Sequence, residues 1–159
     1  MDFQVIIDNL PLYFQGLQVT ILLVITSLIL GLCLALPIAL LATSKNRWVS
    51  IVPKAYIYFF RGTPLLVQMF MIYHGMGQFE AVHESFLWVI FKQAYACALL
   101  AFALNTAAYT AEILRGTIEQ TAFGEIEAAK ACGMSKALIY RRIILPSTFR
   151  RALPAYGNE

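Results

Sequence analysis

Charged residues are scarce in this sequence. Asp, Glu, Lys and Arg make up 13% of its 159 residues, and none of them lies between Asp8 and Lys45. Soluble domains usually carry about 25% charged residues. Hydrophobic residues account for 60% of the chain, and its mean hydropathy is +0.69. The composition therefore excludes an ordinary soluble domain and indicates a protein that resides in a membrane.

Sequence motifs of several enzyme classes are also missing. The chain has no phosphate-binding loop of the form GxxxxGKS/T, no GxSxG nucleophile elbow and no HExxH zinc motif. Its three cysteines form no CxxC pair, and its two histidines lack metal-ligand spacing. No basic run interleaves with aromatic residues as in nucleic-acid binders. We therefore expect no catalysis by this chain, no bound metal or cofactor and no nucleic-acid partner.

Long apolar runs predict three membrane-spanning helices. A span needs about 20 residues, and in lipid a helix satisfies all the backbone hydrogen bonds of its own segment. The first span is expected over residues 17–41 and the third over residues 94–114. The second is expected over residues 63–75, after a basic connector, because proline is tolerated in a first helical turn and Pro64 opens this run. The sequence thus predicts an all-α integral membrane protein.

The basic residues indicate how these spans are oriented. Four lie in the connector after the first span, seven follow the third span, and Lys92 alone lies in the loop between the second and third. Basic residues in short loops favour the cytoplasmic side of a membrane. We therefore expect the N-terminus outside the cell membrane and residues 121–146 in the cytoplasm.

Residues 121–146 carry strong local signals for a helical hairpin. Residues 123–131 contain good helix formers, and Gly133 follows where a glycine ends a helix most easily. Ser135 can cap a second helix from residue 136 to about 145, which Pro146 is expected to end. Two short helices with a glycine elbow form a compact projection, which suits insertion into a groove on a partner protein.

The spacing within this hairpin resembles the EAA loop of bacterial ABC-importer permeases. The resemblance implies a type I importer permease fold, with the loop docked on a cytoplasmic ATPase subunit. The residues that match the motif are Glu127, Ala128, Ala129, Gly133, Ile143, Leu145 and Pro146. The alternative is a hairpin that lies on the lipid surface. In that reading Arg141, Arg142, Arg150 and Arg151 are attracted to anionic headgroups.

Residues 61–68, RGTPLLVQ, form a second motif. It resembles a stretch of the polar amino-acid permeases of the histidine, arginine and opine importer group. An ordinary helix entry at the cytoplasmic interface is the alternative, although it explains the residues only one by one. Gln68 is costly within a membrane unless it is paired or faces water. We therefore expect Gln68 to lie on the substrate pathway or between helices.

The predicted third span carries a polar stripe. Asn105, Tyr109 and Glu112 share one helix face, because they are spaced i, i+4 and i+7. All three are candidate residues of the substrate pathway. The alternatives are a local ion pair between Glu112 and Arg115 and an interhelical role for Asn105 beside the small residues of the span.

Taken together, the resemblance implies a permease subunit of an ATP-driven importer of polar amino acids, in particular basic ones, in the bacterial inner membrane. It also implies two ATPase subunits that use the ATP, a second permease subunit as a homodimer or heterodimer, and a periplasmic binding protein. Residues 1–159 are expected to form one transmembrane domain with three of the five spans usual in that family. Residues 152–159 are expected to begin a further helix. The rival hypothesis is a passive channel or membrane scaffold with a lipid-binding basic loop.

Overall fold

The computed structural model describes residues 4, 7 and 9–158, and these residues form helices and turns without a strand. The predicted all-α fold class is confirmed. The helices are α1 Leu10–Ala42, α2 Arg47–Gly62, α3 Leu65–Phe70, α4 Glu80–His83, α5 Trp88–Phe91, α6 Ala94–Glu119, α7 Phe123–Ala131, α8 Lys136–Ile139 and α9 Leu145–Tyr156. Wider π-helical turns at Met71–Gly75 and Tyr140–Ile144 follow α3 and α8.

Two of the described helices, α1 and α6, are long and apolar enough to cross a membrane. The first and third predicted spans lie inside them. The second predicted span, residues 63–75, covers α3 and the wide turn that follows it. Because a crossing needs about 20 residues, this segment does not cross a bilayer as one regular helix, and its assignment as a span stays a prediction.

Small residues allow α1 and α6 to approach closely. The buried residues of α1 recur almost every fourth position. They are Ser27, Gly31, Ala35, Ala39 and Ala42. Opposite them, the buried residues of α6 include many alanines. Such stripes bring helix backbones together inside a membrane, where dispersion and close packing replace the hydrophobic effect.

The segment from Lys45 to Arg61, expected to be a basic connector, mostly belongs to the amphipathic helix α2, Arg47–Gly62. Asn46 caps its first turn, since the Asn46 side chain accepts a hydrogen bond from the Trp48 N–H at 3.1 Å. Ser50, Pro53 and Ile57 form its buried face. Their spacing of i, i+3 and i+7 is a helical signal that the three basic residues of α2 obscured. The Tyr56 hydroxyl joins α2 to α6 by donating to the Leu104 carbonyl at 2.6 Å.

Pro146 does not end the second helix of the hairpin, so that expectation is wrong. The helical path continues from α8 through Tyr140–Ile144 into α9, and Pro146 is the second residue of α9. The Leu145 N–H donates to the Tyr140 carbonyl, five residues back. This wider turn accommodates proline, which lacks an N–H and clashes with the carbonyl of an ordinary turn. Of residues 152–159, which are expected to begin a further helix, residues 152–156 form the end of α9, and Glu159 lies outside the described residues.

Candidate functional site

The helical path is interrupted between α2 and α3, and hydrogen bonds of Gln68 stabilise this interruption, which we call the break. Thr63 and Pro64 are extended, with ψ angles of 140° and 136°. Only 3% of Gln68 is exposed. Its Nε2 donates to the Phe60 carbonyl at 2.8 Å, the Thr63 carbonyl at 3.0 Å and Thr63 Oγ1 at 2.8 Å. The carbonyls that α2 leaves unpaired at its end thus gain a donor from the next helix.

Asn105 joins this network from α6. Its Nδ2 donates to Gln68 Oε1 at 3.2 Å and to the Phe60 carbonyl at 3.5 Å. Gln68 and Asn105, which the sequence analysis identified in separate segments, therefore contact each other, and both form hydrogen bonds between helices. Buried amides in such a network stabilise a membrane protein only when their partners are present.

We expect Gln68→Leu to destabilise the membrane-embedded protein. Leucine removes the donor to the Thr63 carbonyl and leaves the Phe60 carbonyl and the Asn105 amide with only the long 3.5 Å bond between them. Each buried group that loses its partner costs about 1–3 kcal/mol. Thermal unfolding of the detergent-purified protein measures the loss. Gln78→Leu is the matched control, because Gln78 is exposed. Equal unfolding temperatures for the two variants would show that the network contributes nothing.

A cavity of about 770 Å³ lies beside the break. Its wall includes Arg61, Thr63, Asn105, Tyr109 and Thr110. Asn105 and Tyr109, both predicted pathway residues, thus line the cavity. Gln68 and Glu112 are not part of its wall. Gln68 forms hydrogen bonds with Thr63 and Asn105, which do line the cavity.

Glu112 belongs to a chain of ion pairs along α6. Its carboxylate accepts hydrogen bonds from Arg115 at 2.6 and 2.8 Å, and Arg115 also donates to Glu119 at 2.8 Å. The local ion pair that the i, i+3 spacing predicted is therefore present. Arg61 of α2 lies 3.7 Å from the same carboxylate, and its guanidinium carbon lies 5.3 Å from the centre of the Tyr109 ring.

The elbow of the hairpin has a well-formed Schellman motif, the hydrogen-bonded ending of a helix at a left-handed residue. Gly133 has a φ of +77°. Its N–H donates to the Lys130 carbonyl at 2.9 Å, and the Met134 N–H donates to the Ala129 carbonyl at 3.1 Å. Ser135 then caps α8 by accepting from the Leu138 N–H at 3.4 Å. The predicted glycine elbow and serine cap are both present.

The residues predicted to couple to an ATPase divide into an exposed group and an anchoring group. Glu127, Ala128, Gly133 and Pro146 are exposed. Ala129 is buried, and Ile143 and Leu145 are half-buried. Ala129 and Ile143 pack in the cluster that joins the hairpin to the long helices. Within residues 9–158, the Glu127 carboxylate forms no ion pair.

Phe123, at the start of α7, is a further surface residue that the sequence reading did not single out. It is 69% exposed. A large exposed aromatic side chain on a projecting helix is a typical anchor for a partner protein. The sequence contained a signal for this residue, because Phe123 is a large aromatic residue in an otherwise small and polar segment.

Arg151, which the lipid-surface alternative grouped with Arg141, Arg142 and Arg150, has an internal role. It donates to the Gln120 carbonyl at 3.1 Å and to Thr121 Oγ1 at 3.0 Å. These bonds fasten α9 to the turn between α6 and α7. Arg141, Arg142 and Arg150 are exposed.

The part of the chain that the structure describes contains no disulfide and no cluster of metal-binding side chains. Cys33 and Cys132 are exposed and Cys97 is buried, each as a free thiol. Among the described residues, no group of three or more His, Cys, Asp or Glu side chains could hold a metal ion. The expectation that the chain binds no cofactor stays a prediction.

The sequence of the chain matches a known protein family. Residues 31–159 match the family described as binding-protein-dependent transport system inner membrane components. The chain belongs to this family. The match includes the segment between α2 and α3, the whole hairpin and every lining residue of the cavity except Leu28.

Individual relatives extend the likeness. The nopaline transport system permease protein NocM of Agrobacterium fabrum is 51% identical over all of this chain and 66% of its own length. The histidine/lysine/arginine/ornithine permease protein HisM of Escherichia coli is 46% identical over 92% of this chain and 62% of its own length. The chain thus spans slightly less than two thirds of these relatives.

A solved structure has the same fold. A chain of a crystal structure titled as an amino acid ABC transporter with histidines superimposes with a TM-score of 0.81. It is 35% identical, over 99% of this chain and 70% of that one. The permease fold expected from the resemblance is confirmed.

Proposed function

We propose that the chain forms the core of a permease subunit in an ATP-driven importer of polar amino acids, in particular basic ones or their opine derivatives. The conformation of the hairpin carries this proposal. It projects an exposed glycine elbow at a Schellman motif and an exposed Glu127, which forms no ion pair with any residue that the structure describes. In the proposed topology the N-terminus lies outside the inner membrane and the hairpin lies in the cytoplasm.

The hairpin is packed so that it can transmit force. Ala129, Ile139 and Ile144 belong to one buried cluster with Ala39 of α1 and Leu114 of α6. A partner that binds the exposed face and moves the hairpin therefore also moves the two long helices, α1 and α6. We infer that ATP binding by the partner shifts the equilibrium between inward- and outward-facing arrangements, because the partner has different affinities for the two.

The proposed partners follow from this arrangement. Two ATPase subunits bind the exposed face of the hairpin and hydrolyse the ATP, a second permease subunit completes the pathway, and a periplasmic binding protein delivers the substrate. The names of the relatives favour this assembly over a passive channel or scaffold, since both relatives are permease proteins of transport systems. Membrane lipid can still contact the exposed arginines of the hairpin.

The substrate class rests on what the relatives carry. Nopaline and the basic amino acids named for these relatives all possess a carboxylate and several hydrogen-bonding groups. The cavity offers hydroxyl, amide and phenol groups together with one arginine. It therefore suits a small zwitterion better than an apolar solute.

Uptake into cells tests the proposed function. The full-length protein is expressed with its partner permease, its ATPase and its binding protein in cells that lack their own basic amino-acid importers, and uptake of radiolabelled arginine is measured. We expect uptake to disappear when the lysine of the ATPase phosphate loop is replaced. Uptake that persists with the inactive ATPase would identify a passive channel instead.

A further inference from the structure

Arg61 is the charged group of the cavity. Among the described residues that line the cavity, no other Lys, Arg, Asp or Glu is present. Arg61 lies in the last turn of α2, immediately before the break, and its side chain is 42% exposed. A single cation in an otherwise uncharged wall favours a ligand with an anionic group.

Arg61 is not hydrogen-bonded to the carboxylate nearest to it. Glu112 is already bound by two nitrogens of Arg115 at 2.6 and 2.8 Å, whereas Arg61 remains 3.7 Å from that carboxylate. At 3.7 Å the two groups attract each other without forming a hydrogen bond. The Tyr109 ring lies 5.3 Å from the Arg61 guanidinium carbon and offers it a face to rest on. The guanidinium is thus positioned while its hydrogen-bond donors are available.

We propose that Arg61 binds the carboxylate of the transported molecule within this cavity, an inference that rests on the proposed function. A guanidinium presents donors in a planar fork that matches a carboxylate in two hydrogen bonds. Thr63 and Thr110 line the same cavity and can accept or donate further bonds. Arg115 neutralises Glu112 next to the site, so the incoming carboxylate meets little repulsion.

A purely structural ion pair is the competing role for Arg61. Such a pair between α2 and α6 would be worth little, because exposed pairs contribute about 0–1 kcal/mol. The two roles differ in their chemistry. A carboxylate anchor distinguishes L-arginine from L-arginine amide, in which an uncharged carboxamide replaces the carboxylate. An ion pair between Arg61 and Glu112 does not make that distinction.

Competition binding to the detergent-purified complex, in the absence of the binding protein, tests this proposal. The probe is radiolabelled L-arginine, and the competitors are L-arginine and L-arginine amide. For the unmutated complex we expect the amide to compete about tenfold or more weakly, the size of one charged hydrogen-bond contribution. In Arg61→Gln, arginine affinity falls by a similar factor and the preference over the amide disappears. Arg61→Lys retains part of the preference.

Glu112→Gln separates the two roles. If Arg61 binds the carboxylate, Glu112→Gln keeps the preference for arginine over the amide; if it acts through the ion pair, Glu112→Gln behaves like Arg61→Gln. Co-elution of the ATPase with each variant shows that the complex is assembled. A preference that survives in Arg61→Gln overturns the proposal and leaves the proposed function intact. An unmutated complex that binds no arginine overturns this proposal too, while the uptake experiment with the inactive ATPase decides the proposed function separately.

Discussion

Gly133→Pro is expected to abolish ATP-driven uptake while the full-length protein still inserts into the membrane. The φ angle of Gly133 is +77°, and proline is fixed near −65°. The substitution also removes the N–H that donates to the Lys130 carbonyl at 2.9 Å. The backbone turn at Gly133 must therefore change conformation. The orientation of α7, which carries Glu127, relative to α8 is then no longer fixed. Uptake of radiolabelled arginine and the amount of protein in the membrane are measured together.

Lys136→Pro is the matched control for this experiment. Lys136 is the first residue of α8, a position where proline is tolerated. The preceding Ser135 has a φ of −67° and a ψ of 156°, which is the conformation that a residue before proline prefers. The same substitution three residues later should thus retain most of the uptake. If Gly133→Pro and Lys136→Pro transport equally well, the elbow has no part in coupling.

Gly31→Val is expected to separate α1 from α6 and to lower the stability of the protein. A Cβ atom at Gly31 would lie 2.8 Å from Cβ and Cγ2 of Thr106 and 3.3 Å from the Ala103 carbonyl. The carbonyl belongs to the α6 backbone and cannot rotate away, so the helices must move apart. Overpacking of this kind costs about 1–3 kcal/mol, and valine adds two methyl groups beyond Cβ. Thermal unfolding in detergent and the level of assembled complex report the loss.

Gly16→Val provides the comparison for Gly31→Val within the same helix. A Cβ atom at Gly16 has no neighbour within 4 Å. Both substitutions carry the same propensity cost of a β-branched residue in a helix, so the difference between them isolates the contact with α6. An unfolding temperature that falls equally in both variants would contradict the close packing of the two helices.

The hairpin was predictable from sequence because its signals are local. Gly133 and Ser135 each determine the backbone within a few residues, and the structure has the elbow and the cap where the pattern indicates. Pro146 was misread by the same local reasoning. Proline ends a helix only where the turn before it is regular, and the wide turn at Tyr140–Ile144 could not be seen from composition.

Longer-range features were less accessible. The contact between Gln68 and Asn105 joins residues 37 positions apart, and the sequence marks each side chain as costly without naming its partner. Helix α2 was overlooked because its basic residues suggested a connector, although its buried face has helical spacing. Arg61 was read only as part of a motif, since its place on the cavity wall depends on how α2 meets α6.

Affinity co-purification of the full-length protein from bacterial membranes tests the central claim, that the hairpin binds an ATPase subunit. The test variant combines Glu127→Lys with Gly133→Pro, and the matched control combines Glu80→Lys, at an exposed residue outside the hairpin, with Lys136→Pro. We expect an ATPase to co-purify with the unmutated protein and the control and to be absent from the test variant. An ATPase missing from the unmutated protein, or retained equally by all three, would contradict the account.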